Sequence, residues 1–348
     1  MNHPRDVLLD ATVAASLPVC DHYCGVEARM VKSLALQAEF IEEFKTCVFD
    51  VTLDCEDGAR VGGEKDHAFM VSALANHALE ASNSVAKSVA QRIAVRVHPV
   101  SHAAFEQDVE IIVGGAGAAL CHLMLPKVES VADIDRALQA VDAASKGTRR
   151  PDSLPIHVLI ESPLAVQRVA AIAAHPRVQS VSFGLMDFVS THGGAIPASA
   201  MGVAAAGSGD GLDQFSHPLV VRAKLEIAAA CHASGKVPSH CVVTEFKDAA
   251  VLQAAARHAS GALGFTRMWS IHPDQIRPIL AAFAPAEHDV AHASRIICEA
   301  QAVHWAPISV DGRLHDRASY RYYWQLLEKA HQTARLHRDD PAQRFFEM

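Results

Sequence analysis

Two carboxylates stand directly after apolar runs, Glu161 in "LIESP" and Asp187 in "FGLMDF". Acids in such positions can bind a hard divalent cation through oxygen, with water and substrate filling the other places, and Mg2+ suits so sparse a set. Each can equally cap the helix that follows or pair with an arginine. A second acidic group lies in "VFDVTLDCEDGAR", residues 48–60, where an apolar stretch ends on Asp54, Glu56 and Asp57. Arg96, in "AVRVHP", sits inside an apolar run. A guanidinium there is costly unless it meets a carboxylate or an anion, and a pairing with Asp57 would orient it while its remaining donors face substrate oxygen. Lys127, in "LMLPKVES", invites a Schiff-base reading. Neighbouring acids favour the charged ammonium, so an ion pair is expected instead. His272, in "SIHPDQI", can touch substrate or simply fill space, as most of the 21 histidines must. No H-E-x-x-H spacing occurs, so zinc is not expected.

These residues have to be carried by a scaffold, and its pattern is repetitive. The runs "CVFDVTL", "IAVRVHP", "LCHLMLPK", "IHVLIES", "VQSVSFGLMD", "SHCVVT" and "ALGFTRMWSIHP" alternate with longer Ala-rich segments of helical period such as "VADIDRALQAVDAAS" and "LVVRAKLEIAAACHASG". With a weaker first strand near "LPVCDHYCG" the units number eight. Strands that read as continuous Val/Ile/Leu runs are buried on both faces, which favours a (β/α)8 TIM barrel over a doubly wound open sheet. The Gly-rich "VGGAGAAL" precedes a strand rather than joining a strand to a helix, so it is no dinucleotide fingerprint. In a barrel the strand C-termini share one mouth, and Asp57, Arg96, Lys127, Glu161, Asp187 and His272 would all meet there. Residues 204–218, "AAAGSGDGLDQFSHP", read as a loop over that mouth and lack the acid spacing of a calcium loop.

The expected division is a barrel over residues 1–285 and a helical extension over 286–348, where "SYRYYWQLLEKAHQTARLH" offers an aromatic face that needs a surface to cover, such as a neighbouring subunit. A formal charge of −8 without a Lys/Arg stripe speaks against nucleic acid. No apolar stretch reaches membrane-spanning length, and Asp10 interrupts the one N-terminal run that resembles a secretory leader. The 8 cysteines are scattered without C-x-x-C spacing and read as reduced thiols of a cytoplasmic protein.

The order of "VTLDCEDGARVGGEKDHA", "AVRVHP", "LMLPKVES", "LIESPLAV", "VSFGLMDF" and "MWSIHPDQI" resembles the citrate lyase beta-subunit-like branch of the HpcH/HpaI aldolase superfamily. His98 and His240 depart from its usual Asn and Asp. The resemblance implies a metal-dependent barrel that makes or breaks a carbon–carbon bond between an acyl-CoA and a small oxoacid. It implies Glu161 and Asp187 as Mg2+ ligands, with Mn2+ as a substitute, Arg96 on substrate oxygen, and Asp57 holding water or Arg96. The expected reaction is retro-Claisen cleavage of a malyl-, citramalyl- or citryl-CoA. The alternatives are a CoA thioester hydrolase on the same scaffold and a non-catalytic subunit of a lyase complex. The resemblance also implies a base contributed by a neighbouring subunit from "VDGRLHD", with Asp316 the closest match and Asp311 second, in a homotrimer or homohexamer. Asp316 has an equally weighted reading as the N-cap of the helix that follows.

Overall fold

The eight apolar runs form eight parallel strands that close into a barrel. The computed structural model describes residues 3–9, 17–84, 89–146, 148, 153–204 and 211–346, so residues 205–210 of the loop expected over the mouth lie outside the described part. A short helix, α1 (Pro4–Leu8), precedes the barrel. The strands are β1 (Cys20–Cys24), β2 (Phe49–Asp54), β3 (Ile93–Arg96), β4 (Leu120–Leu125), β5 (Ile156–Ile160), β6 (Val178–Phe183), β7 (Val237–His240) and β8 (Arg267–Ser270), in that order around the sheet. Between them run α2 (Glu27–Phe44), α3 (Glu64–Ser84), α4 (Phe105–Ala116), α5 (Val131–Ala144), α6 (Pro163–Ala174), α7 (Leu185–Ser190), α8 (Pro218–Ala233) and α9 (Ala249–Gly261). β1 closes the ring by pairing with β8 in parallel, Cys20 opposite Met268.

After α10 (Ile276–Phe283) the chain leaves the barrel through α11 (Glu287–Ala302) and a hairpin of β9 (Ile308–Val310) and β10 (Arg313–His315). Asp311 and Gly312 at its tip have φ of 50° and 75°, the left-handed pair that a two-residue hairpin of matching twist demands. The last long helix, α12 (Arg317–Gln332), packs on α11 through Tyr320, Trp324, Leu327 and Ala330. This second core also takes in Leu8 of α1, whose carbonyl accepts from Arg321 Nε at 3.0 Å. Residues 3–9 therefore pack with the extension, a partnership the sequence does not announce.

The aliphatic side chains of the strands, among them Val51, Leu53, Val95, Leu123 and Val158, join the large cluster shared with the helices. The inner faces differ. Arg267 on β8 reaches across β1 to Asp50 on β2 at 2.7 Å, and contacts Asp21 at 2.8 Å. His122 on β4 stacks on His157 of β5 at 3.5 Å between ring centroids. The lower barrel is thus a polar layer, and above it Tyr23, Met124, Leu159 and Trp269 form a separate apolar cluster. A buried ion network of this kind is tolerated only when its members find partners.

Burial holds the two stacked imidazoles neutral, pushing His157 down to about 3 and His122 well below its ordinary value. An unfolded histidine protonates near ~6.5, so below that pH the unfolded chain binds more protons than the folded one. Stability held above pH ~6.5 should therefore fall as the pH drops, by up to about 1.4 kcal/mol per pH unit for each such group. Urea unfolding between pH 6 and 4 should show a shallower fall for His157→Gln than for the unsubstituted protein; equal slopes would contradict a buried neutral His157.

Candidate active site

The mouth is organised by where β2 ends. Asp50, Thr52 and Asp54 share the inner face of the strand, because side chains alternate, and Asp54 is the uppermost of them. Beyond it the chain turns at Gly58, where a Cβ would lie 2.4 Å from both the Asp54 and Gly25 carbonyl oxygens. Only a residue without a side chain lets the turns after β1 and β2 pass so closely, and that passage folds Glu56 and Asp57 back over the barrel.

Arg96, at the end of β3, opposes Asp54 in the strand register. Its Nε and Nη2 donate to the two Asp54 oxygens at 2.8 and 2.6 Å. Nη2 also donates to Asp57 at 2.7 Å, and Nη1 lies 2.8 Å from Glu56. Asp57, the partner expected, is engaged, but the bidentate anchor is Asp54, and among the described residues one Nη1 donor has no partner. Burial opposes the Arg96 charge, yet Asp54 and Glu56 outweigh it and hold the guanidinium protonated. Lys127, just past β4, has φ of 52° and places Nζ 2.8 Å from the other Glu56 oxygen. Burial disfavours its charge too, but the Glu56 contact, with Asp187 and Glu161 nearby, raises it above the ordinary range. That is the expected ion pair, and it removes the condition for a Schiff-base lysine, a lowered pKa.

Glu161 follows β5 and is 4% exposed. Its Oε2 is buried and accepts no hydrogen bond from the described residues. Burial first, then the charges of Glu56 and Asp187, push its carboxyl up to about 8. Gly184 keeps the space open, since a Cβ there would fall 2.3 Å from Glu161 Cγ. Asp187 sits in the first turn of α7, exposed to the same opening. Asp54, Glu56, Asp57, Glu161 and Asp187 thus face two cations, Arg96 and Lys127. Fully ionised, the cluster holds a formal excess of three negative charges. A buried carboxylate oxygen with no donor, beside a second acid and under such an excess, is a fitting donor set for a hard divalent cation.

The other expected side chains are engaged with partners outside this cluster, although the Glu56 charge still acts on His98. His272 caps the short turn Pro273–Gln275, accepting from Asp274 N at 3.3 Å, and stacks on Phe246 at 4.7 Å. Asp316 caps α12, where its Oδ1 accepts from the backbone of Ala318 and Ser319. His98 gives its Nδ1 to Asp108 at 2.6 Å and is covered by His102. His240 does not reach the mouth: it is fully buried between Phe215 and Phe265. Residue parity on β7 turns it outward toward the helices, because Ser239, opposite Arg267 in the register, takes the inner face. A cleft of about 670 Å3 lies at the opposite face, between α12 and residues that precede β7 and β8, and includes none of the mouth acids. Sequence reasoning singled out neither Tyr23 nor Trp269, which the same parity places on the inner face one pleat below the acids.

Residues 30–273 match the HpcH/HpaI aldolase/citrate lyase family. An L-malyl-CoA/beta-methylmalyl-CoA lyase of Cereibacter sphaeroides is 31% identical over 68% of this chain and 76% of its own length. The enzyme of the same name from Rhodobacter capsulatus is 30% identical over 80% of this chain and 86% of its own. The crystal structure of a citrate lyase from Burkholderia xenovorans LB400 aligns with a TM-score of 0.77 and 44% identity over 99% of each chain. The protein CitE of Mycobacterium tuberculosis, solved with magnesium, acetoacetate and coenzyme A, shares the fold at a TM-score of 0.62 and 21% identity, over 92% of this chain and 99% of its own. The chain belongs to the HpcH/HpaI aldolase/citrate lyase family, a family of lyases.

Proposed function

We propose that the protein is a Mg2+-dependent lyase that cleaves a 3-hydroxyacyl-CoA, of the malyl-, citramalyl- or citryl-CoA type, into acetyl- or propionyl-CoA and a small oxoacid. The observation that carries this reading is the buried, donor-free Oε2 of Glu161 beside Asp187, in a mouth with more carboxylates than cations. The names of the relatives, L-malyl-CoA/beta-methylmalyl-CoA lyases, support the choice of substrate class.

Glu161 and Asp187 would hold the ion. Mg2+ there would supply Lewis-acid polarisation of the substrate hydroxyl and carboxylate. Asp54 clamps Arg96 so that its uncommitted Nη1 donor points at developing oxyanion charge, and that preorganisation is where a guanidinium contributes most. Lys127 and Asp57 hold Glu56 and Arg96 in place around it. In the cleavage a base removes the 3-hydroxyl proton and the bond between the second and third carbons breaks. Its electron pair enters the thioester enolate while the hydroxyl carbon becomes the oxoacid carbonyl. The enolate then takes a proton and leaves as acyl-CoA.

The mouth acids are committed to the cation or to Arg96 and Lys127, so the base comes from elsewhere, and we assign it to Asp316 of a second copy. The N-cap reading and this one are compatible, because the cap uses Oδ1. The hairpin also presents Leu314, 76% exposed, next to that carboxylate, while Val61, Phe246 and Ile271 are exposed beyond the ends of β2, β7 and β8. A homo-oligomer that seats the hairpin on a neighbouring rim would cover both.

Mass spectrometry of malyl-, citramalyl- and citryl-CoA incubated with the protein should show acyl-CoA product with Mg2+ and none without it. Free CoA without acyl-CoA would mean hydrolysis and overturn the lyase reading. Glu161→Ala and Asp187→Ala should each lower turnover by about 100-fold or more and weaken Mg2+ binding in calorimetry. Unchanged Mg2+ affinity in both variants would remove the assignment. Asp316→Asn retains a good N-cap residue, so its fold should persist while turnover falls. Mixing it with Glu161→Ala under subunit exchange should restore part of the activity. A fully active Asp316→Asn enzyme would end the idea of a base in trans.

A further inference from the structure

We infer that the cleft between α12 and the face where the barrel strands begin is a second binding site, for an organic phosphate whose body is apolar or aromatic. The site stands apart from the mouth, and nothing in it rests on the lyase reading.

The helix that walls the cleft carries two stripes. Tyr320, Trp324, Leu327 and Ala330 recur at spacings of three and four and enter the second core. Tyr322, Leu326, Lys329 and Gln332 recur in the same way on another side of α12, and they line the cleft instead of packing on the barrel. The facing wall comes from Lys236 and Pro238, around the start of β7, and from Phe283 and Pro285, where α10 ends. The space between the walls is of metabolite size, and such sites favour the junction between two units of a fold.

Its polar groups are donors that lack acceptors. Burial opposes the charge of Lys329 and of Lys236, and no carboxylate among the described residues acts on either. Lys329 Nζ lies 5.4 Å from the centre of the Phe283 ring, over an aromatic face rather than beside an acid. Gln332 Nε2 is buried and meets no acceptor among the described residues. The acids of the lining are directed elsewhere: Glu328 pairs with Arg5, and Asp289 is exposed beside His288. Helix C-termini favour cations on this face, but the last turns of α8 and α10 already receive main-chain N–H groups, Lys236 N on Cys231 O at 2.8 Å and Ala284 N on Leu280 O at 3.0 Å. Residues 10–16, which lie outside the described part and lead to Leu17 of the lining, contain Asp10 as their one acid. A single carboxylate would leave one lysine unanswered.

A phosphate monoester brings a charge of about −1.5 to −2 at pH 7 and three acceptor oxygens, which match two ammonium groups and an amide donor. Lysines meet such a group as point charges from two sides, without the planar fork of an arginine. Beyond the head, Phe283, Leu326 and the exposed Tyr322 ring offer an apolar bed for the rest of the molecule.

The probes are phenyl phosphate, inorganic phosphate and phenol, titrated without Mg2+ or any CoA ester while the broadening of their NMR lines is followed. Phenyl phosphate should bind about tenfold or more tighter than either of the others, because only it offers both charge and ring. Lys236→Met and Lys329→Met should each weaken it by about tenfold or more. Inorganic phosphate binding as tightly, or phenyl phosphate binding unchanged in both variants, would mean adventitious surface attraction and overturns the inference. A second measurement needs no ligand. Lys329→Met removes a half-buried charge that has no acceptor, so the urea midpoint of the free protein should stay the same or rise. A lower midpoint would mean that a carboxylate, Asp10 included, already answers Lys329, and this too overturns the inference.

Discussion

Several carboxylates must be kept together at one barrel mouth, and like charge works against that closeness. The resolution is Arg96. Its planar fork takes both Asp54 oxygens and reaches Asp57 and Glu56 as well. A lysine presents a point charge and could not bridge three strand-end acids in one plane. Lys127 adopts a left-handed backbone to supply a second positive charge on the far side of Glu56. Glu161 is left with the remaining strain, expressed as a carboxyl that holds its proton near neutral pH because burial and its acidic neighbours disfavour the anion. A cation entering there relieves repulsion that the protein has already assembled.

The barrel interior is layered by chemistry. The lowest layer is ionic, with Asp21, Asp50, Arg267 and the stacked His122 and His157. The middle is the apolar plate of Tyr23, Met124, Leu159 and Trp269. The uppermost is the acidic mouth. The plate keeps two charged networks from acting as one, since it places low-polarity side chains where water or a further ion would otherwise connect them.

Much of this was legible in the chain. The alternation of apolar runs with helical periods led to the closed barrel, and the strand-end position of Glu161, Asp187, Arg96 and Lys127 led to one shared mouth, which the structure contains. The partner of Arg96 was less accessible. Asp54, Glu56 and Asp57 are three acids within four residues, and only the turn at Gly58 decides how each bends back. The polar lower layer was hidden by its spacing, because inward residues such as Asp50 and Thr52 alternate with Phe49, Val51 and Leu53, and the eye reads the aliphatic run. His240 and His272 show the same difficulty: a residue type suggests chemistry, while pleat parity and a local cap determine where the ring goes.

The alliance of α1 with the extension has a consequence for the order in which the molecule can be completed. His3 Nε2 lies 2.9 Å from the Phe345 carbonyl, a contact that spans 342 positions, and Arg5 pairs with Glu328. A ribosome that adds ~5–20 residues per second needs on the order of twenty seconds to a minute to make that intervening stretch. Throughout that time the first helix has no surface to bury Leu8 against, although the barrel strands beside it can already pair. A five-residue helix cannot hold its shape alone in water. A segment made before the barrel is therefore among the last to fold, and the second core is closed by a strap that waits for the whole barrel to be built.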